Sequence, residues 1–173
     1  MPVTPFHFGP GALLKVLVPS GVSWTVFALA NVLIDLEPIL MFLLTGDPAH
    51  PWLHPLPGAI AVATLAATLG RPPCEAMLRV WNSKLSPRQA RWLGVEDRIS
   101  RTAAWAGALL GTFSHLALDA FMHPDVRPLW PLVADNPWRG AVPLDVLHWG
   151  CVIAGILALP FWLLHLKHRG AGQ

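Results

Sequence analysis

Three stretches of this chain, from about Val22 to Leu44, Thr102 to Met122 and Leu144 to Leu166, stay apolar for about the twenty residues a helix needs to cross a bilayer. Two shorter apolar stretches, from about His7 to Val18 and from about His54 to Leu69, are long enough only for partial penetration. Eighteen prolines and fourteen glycines punctuate the chain between these runs, as turns do, and no internal repeat is seen. Charged residues make up 13% of the chain, against roughly 25% in a soluble domain. So few charges do not cover a water-facing surface. Nine Trp and no Tyr suit a helical membrane protein, where Trp favours the headgroup level. The expectation is an all-α integral membrane bundle of about five apolar helices, forming one domain over 1–173. Met1 to Pro10 has no basic start or apolar stretch of a secretory signal, so insertion is expected through internal helices.

Between the third and fourth apolar segments lies a basic stretch, 71–101. Its seven cations face Glu75, Glu96 and Asp97. Ser86-Pro87-Arg88-Gln89 reads as a helix start with a capping box, and Gly94 as its stop. Met77, Leu78, Trp81, Trp92 and Leu93 interleave with the arginines, which predicts an amphipathic segment on lipid headgroups rather than on nucleic acid. Folding the segments up and down, with the Pro19-Ser20-Gly21 turn at the inner end, gives that end a charge of +7 and the outer end −5. Such Lys/Arg asymmetry predicts a cytoplasmic 71–101 loop and an outer 123–143 loop on the periplasmic side of a bacterial inner membrane. Cys74 and Cys151 then fall at opposite ends and are not expected to bridge.

The same folding gathers polar residues at the outer end. His7 lies twelve residues before the Pro19 turn and Asp35 fourteen after Gly21, so an antiparallel pair would hold them at nearly one height. His54 opens the third segment. His115 and Asp119, four residues apart, share a helical face near the end of the fourth. His148 lies near the start of the fifth. Imidazole and carboxylate together suit a divalent ion, zinc foremost and manganese or iron next. Helix bundles build such sites from inward-facing side chains. Each residue also has a plainer reading: a hydrogen-bonded core histidine for His115, a structural pair for His7 and Asp35, a solvated loop for His50 and His54, an interfacial anchor for His148. His123 lies past the apolar run, and His165 and His168 read as a membrane-flanking cluster.

At these residues the chain resembles the bacterial membrane-bound, metal-dependent hydrolases of the LexA-regulated inner-membrane type. The likeness is carried by Thr4-Pro5-Phe6-His7, by Leu33-Ile34-Asp35-Leu36-Glu37-Pro38, by His54 before an apolar run, by Ser114-His115-Leu116-Ala117-Leu118-Asp119, and by Val126-Arg127-Pro128-Leu129-Trp130-Pro131. The family's Pro-Asp-x-Asp is here Ile34-Asp35-Leu36-Glu37, and His54 is followed by Pro55 rather than Ser or Thr. More remotely, the order of ligands is similar to that of zinc-dependent phospholipase C. The resemblance implies that Asp35, His54, His115 and Asp119 surround one metal, with His7 as a further ligand or next to a second ion.

The expected function is hydrolysis of a phosphoester or lipid-linked substrate by a metal-activated water near the periplasmic face. Glu37 stands as candidate general base and Arg127 as candidate holder of an anionic substrate group. Membrane lipid is the expected partner, and no nucleic acid is expected. Three other readings of the same residues stay open: a metal transporter, a haem-binding electron carrier using His54, His115 and His148, and a non-catalytic scaffold. The carboxylates Asp35 and Asp119 favour a hard divalent ion over haem.

Overall fold

Three serines start helices where the apolar or amphipathic runs begin. In the computed structural model, which describes residues 4–18 and 21–171 with side chains for 6–18 and 21–164, every regular element among the described residues is helical. A 3-10 turn, Thr4–His7, leads into α1 (Phe8–Leu17), α2 (Trp24–Thr45), α3 (Leu56–Thr68), α4 (Arg71–Ser83), α5 (Pro87–Leu93), α6 (Arg101–Met122) and α7 (Leu144–Ala171). Ser23 Oγ accepts the Val26 N–H, and Ser100 Oγ accepts the Ala103 N–H, satisfying donors that a helix start leaves unpaired. Ser86 and Gln89 form the reciprocal capping box of α5. Gly46 ends α2 at φ 79°, where its N–H reaches Phe42 O, and α2 continues unbroken through Pro38. Pro19, Ser20 and the side chains of His165, Lys167, His168 and Arg169 lie outside the described residues.

The centre of the fold is the pair α2 and α6. Ser23 N–H donates to Ala103 O at 2.9 Å, so both helices begin at one end and run parallel. Small residues let them approach: a Cβ on Gly111 would lie 2.6 Å from Phe27 O, and one on Gly107 would run into Ser23 O. This Gly-x-x-x-Gly spacing is a close-packing device of membrane helices. Helix α3 packs chiefly on α6 and also touches α2. Ala30, Ala63, Ala66, Ala67, Ala104 and Ala108 fill the core toward the helix starts, and Ala59, Leu116, Ala120 and Val126 fill it toward the far end.

Two expectations change. Helix α1 packs chiefly on α7 and only lightly on α2, because Gly9 sits against the Cys151 carbonyl with no side chain between. Apolar length marks three stretches of crossing length, and two of them qualify in the structure. Two helices, α2 and the Leu144–Leu164 part of α7, are long and apolar enough to cross a membrane, while α1 and α3 are shorter. Helix α6 equals α2 in length, but its packed face carries Gly107, Gly111, Thr112, His115 and Asp119. The basic stretch is two helices rather than one, joined where Asn82 bonds both backbone groups of Val95 and where Glu75 accepts the Ile99 N–H. Cys74 and Cys151 are free thiols.

Candidate metal centre

The parallel register of α2 and α6 brings the first two candidates level. Counting twelve residues on from the bonded pair Ser23 and Ala103 reaches Asp35 and His115, and His115 Nε2 lies 3.1 Å from Asp35 Oδ1. Asn31, fully buried one turn earlier on α2, fixes which nitrogen of His115 carries the proton. Its amide donates to Phe27 O at 2.9 Å, which turns Oδ1 toward His115 Nδ1 at 3.2 Å. The oxygen accepts there, so Nδ1 carries a proton and Nε2 is the nitrogen that faces the carboxylates.

His54 is oriented by the same logic from another element. The 46–55 loop returns over the end of α2, where Glu37 accepts the backbone N–H groups of Trp52 and Leu53. Glu37 Oε2 also lies 3.1 Å from His54 Nδ1. His54 Nε2 therefore faces inward, 3.2 Å from Asp119 Oδ2, while His115 Nε2 approaches the same oxygen at 3.1 Å. Loop 123–143 closes over this end: Leu56 N–H donates to Pro128 O and Asn136 to Ala120 O.

The decisive feature is what lies between these atoms. Both Nε2 atoms are buried and make no hydrogen bond, although carboxylate oxygens stand 3.1–3.2 Å away. A hydrogen placed on either nitrogen would not point at an oxygen, and two unprotonated acceptors facing one another repel. A cation between them resolves both problems. The ligand atoms of Asp35, His54, His115 and Asp119 all lie within 4.8 Å of one another. Metal–ligand bonds of about 2.0–2.2 Å place tetrahedral ligands roughly 3.3–3.6 Å apart, close to the spacing seen here.

His7 borders the same group from the 3-10 turn. Its ring stacks on that of His115 at 4.0 Å, and its Nε2 lies 3.2 Å from Asp119 Oδ1. Both of its ring nitrogens are buried without a hydrogen bond. The other candidates lie elsewhere. Arg127 is exposed on the outer loop, and among the described residues no ion pair or side-chain hydrogen bond joins it to the cluster. The His148 ring lies against Phe6, 5.0 Å away.

Sequence reasoning passed over Asn31 as an orienting residue, read His50 as a solvated loop residue and left the role of His123 open. His50 is buried, with its backbone N–H and ring Nδ1 both on Asp125 Oδ2, at 2.9 and 2.8 Å. Burial and the neighbouring His50 and His54 hold the His123 imidazole below its ordinary range, against the pull of Asp119 and Asp125. Burial opposes ionisation of Asp125, but the His50 hydrogen bond, the His50 charge and the backbone hydrogen bonds together outweigh it and hold that carboxyl below the usual range. The available signal was spacing: His115, Asp119 and His123 recur every four residues, as do His50 and His54.

Comparison of the chain with family models, with curated proteins and with solved structures finds no match.

Proposed function

We propose that the protein is a membrane-embedded, metal-dependent hydrolase of phosphoester or lipid-linked substrates. The observation that carries this reading is the pair of buried, hydrogen-bond-free Nε2 atoms of His54 and His115 converging on Asp119. Asp35, His54, His115 and Asp119 would hold the ion, with His7 beside it as a further ligand. A divalent ion there would supply Lewis-acid polarisation and lower the pKa of a water. Asn31 and Glu37 set the two imidazole tautomers, as outer partners of metal-ligating histidines do. With its oxygens engaged by Trp52, Leu53 and His54, Glu37 is a positioning residue in this reading and not a base.

Three features support a membrane setting. On α2, Leu36, Ile39, Leu40, Phe42, Leu43 and Leu44 are exposed, and on α7 the apolar side chains from Leu144 to Leu164 are mostly exposed too. Such continuous apolar faces are rare on soluble monomers. All nine Trp lie toward an end of the long helices or in the segments joining them: Trp52, Trp130, Trp138 and Trp149 on the site's side, and Trp24, Trp81, Trp92, Trp105 and Trp162 on the other. The basic helices α4 and α5 follow α3 at the end remote from the site, which favours a cytoplasmic position for them and a periplasmic one for the metal centre. An apolar cleft of about 340 Å³, lined by Phe6, Phe8, Trp24 and Val152 among others, lies between α1 and α7 and would suit an acyl chain. Transport has less support, since among the described residues the core beyond the cluster is mainly apolar, with Val26, Ala30, Ala63, Ala66, Ala104 and Ala108.

The test is metal analysis and hydrolysis by protein purified in mild detergent. The expected result is bound zinc, manganese or iron, and chelator-sensitive cleavage of phosphoester or lipid substrates that His115→Ala and Asp119→Ala both abolish. Topology is checked in parallel: a reporter near Asn136 should read periplasm and one near Ser83 cytoplasm. Full metal content in both variants overturns the ligand assignment.

A further inference from the structure

A second group of ligating side chains stands beside the first. His50 comes from the loop after α2, His123 from the C-terminal cap of α6, and Asp125 from the loop that follows it. Their ligand atoms all lie within 4.8 Å of one another. The two groups are in contact: the His50 ring meets His54 edge-on at 4.4 Å and lies 4.7 Å from the His123 ring. Asp119 reaches toward both. Its Oδ2 lies 3.1–3.2 Å from His115 and His54, while its Oδ1 lies 3.8 Å from His123 Nε2.

We propose that His50, His123 and Asp125 hold a second divalent cation, with Asp119 bridging it to the first, so that the centre is dinuclear. The bridge rests on the four-ligand site proposed above; the three ligands of the second ion do not. Paired metals in hydrolytic sites sit about 3.5–4 Å apart, a span that the two oxygens of one carboxylate cover. The two positions differ in kind. The inner one has four protein ligands, and His54, His115 and Asp119 are almost wholly enclosed, at 0–4% side-chain exposure. Four protein ligands leave the inner ion fewer open places than the outer one. The outer one has three protein ligands of its own, and Asp125 is 39% exposed. Three ligands and access to solvent leave places for a water and for a substrate oxygen, the pattern of a reacting ion. The outer position would therefore offer the more open place for a phosphoester oxygen, and Asp119 would link it to the inner one.

The hydrogen bond from His50 to Asp125 could also exist for structure alone, and metal stoichiometry separates the two cases. Protein purified in detergent is loaded with Mn²⁺, freed of excess ion, and assayed for metal per chain and by electron paramagnetic resonance. Two ions per chain and an exchange-coupled signal are expected. His123→Gln and Asp125→Asn should each drop to one ion with an isolated Mn²⁺ spectrum while remaining monodisperse and helical. Asp125→Asn keeps an acceptor for His50 and so spares the loop. One ion per chain, lost in His115→Ala but kept in His123→Gln, overturns the second site and leaves the first standing. Two ions retained by both outer variants overturns the assignment of ligands. No ion bound by the unaltered protein overturns both readings.

Discussion

Asn31 accepts the Nδ1 hydrogen of His115 across the interface of α2 and α6, at 3.2 Å, while its own amide is held by Phe27 O. One buried amide thus sets both the rotamer and the tautomer of a candidate ligand. Asn31→Ala should weaken metal binding about 10- to 100-fold, the usual effect of losing an outer partner of a ligating histidine. Asn31→Asp, which keeps the acceptor, should lose less. Competition against a chromophoric chelator measures both. Equal affinity in Asn31→Ala and the unaltered protein would show that the tautomer is set elsewhere.

Glu37 joins the 46–55 loop to α2 through two backbone N–H groups and His54. Glu37→Ala leaves those donors buried without an acceptor, at a cost of about 1–3 kcal/mol each where water does not replace it. The expected outcome is a lower melting temperature, faster proteolysis between Asp47 and Leu53, and weaker metal binding. A base-only role predicts instead that activity falls while metal affinity and loop protection stay at their original values.

How far the site was legible depended on whether regular structure connected its parts. His115 and Asp119 stand four residues apart on one helix, so spacing alone put them on one face. Asp35 and His54 followed from ordering helix starts and ends by height, which needs only the direction of each segment. That is why His7 reaches the cluster even though α1 packs on α7 and not mainly on α2. Loop geometry was not legible. Nothing in the periodicity shows that 46–55 folds back onto Glu37, or that Asp125 returns to His50 across 75 residues. Asn31 looked like a polar outlier in an apolar run because its role needs the α2–α6 register. The capping box at Ser86 was legible because it is local, whereas apolar length alone did not show that the packed face of α6 is built of small and polar residues.

At the opposite end, Glu75 accepts the Ile99 N–H at 2.9 Å and pairs with Arg71 Nε at 3.0 Å. The backbone hydrogen bond first, and Arg71 next, hold its carboxyl below the ordinary 4.5. A depressed folded-state pKa stabilises the fold above the unfolded value and loses that stabilisation as pH falls through the folded value. The melting temperature should therefore decline below about pH 4.5 with a component that Glu75→Gln lacks. Arg71→Ala should retain most of that component. Parallel melting curves for Glu75→Gln and the unaltered protein across this range would remove Glu75 from the acid response.

The same chemical change, glycine to alanine inside a helix, should have opposite signs at two positions. A Cβ on Gly150 in α7 meets nothing within 4 Å, so Gly150→Ala should stabilise by about 0.5–1 kcal/mol through backbone entropy alone. A Cβ on Gly111 would stand 2.6 Å from Phe27 O and 3.1 Å from Asn31 Nδ2, and a backbone carbonyl does not swing aside. Helices α2 and α6 must then separate, at a cost of about 1–3 kcal/mol for an overpacked interface. The separation falls where Asn31 meets His115, so Gly111→Ala should also weaken metal binding although it alters no ligand. Thermal melting in detergent gives the first quantity and chelator competition the second. A destabilised Gly111→Ala with unchanged metal affinity would mean that the centre does not depend on the α2–α6 register, and that Asp35 and His115 are held level by α3 and the loops instead.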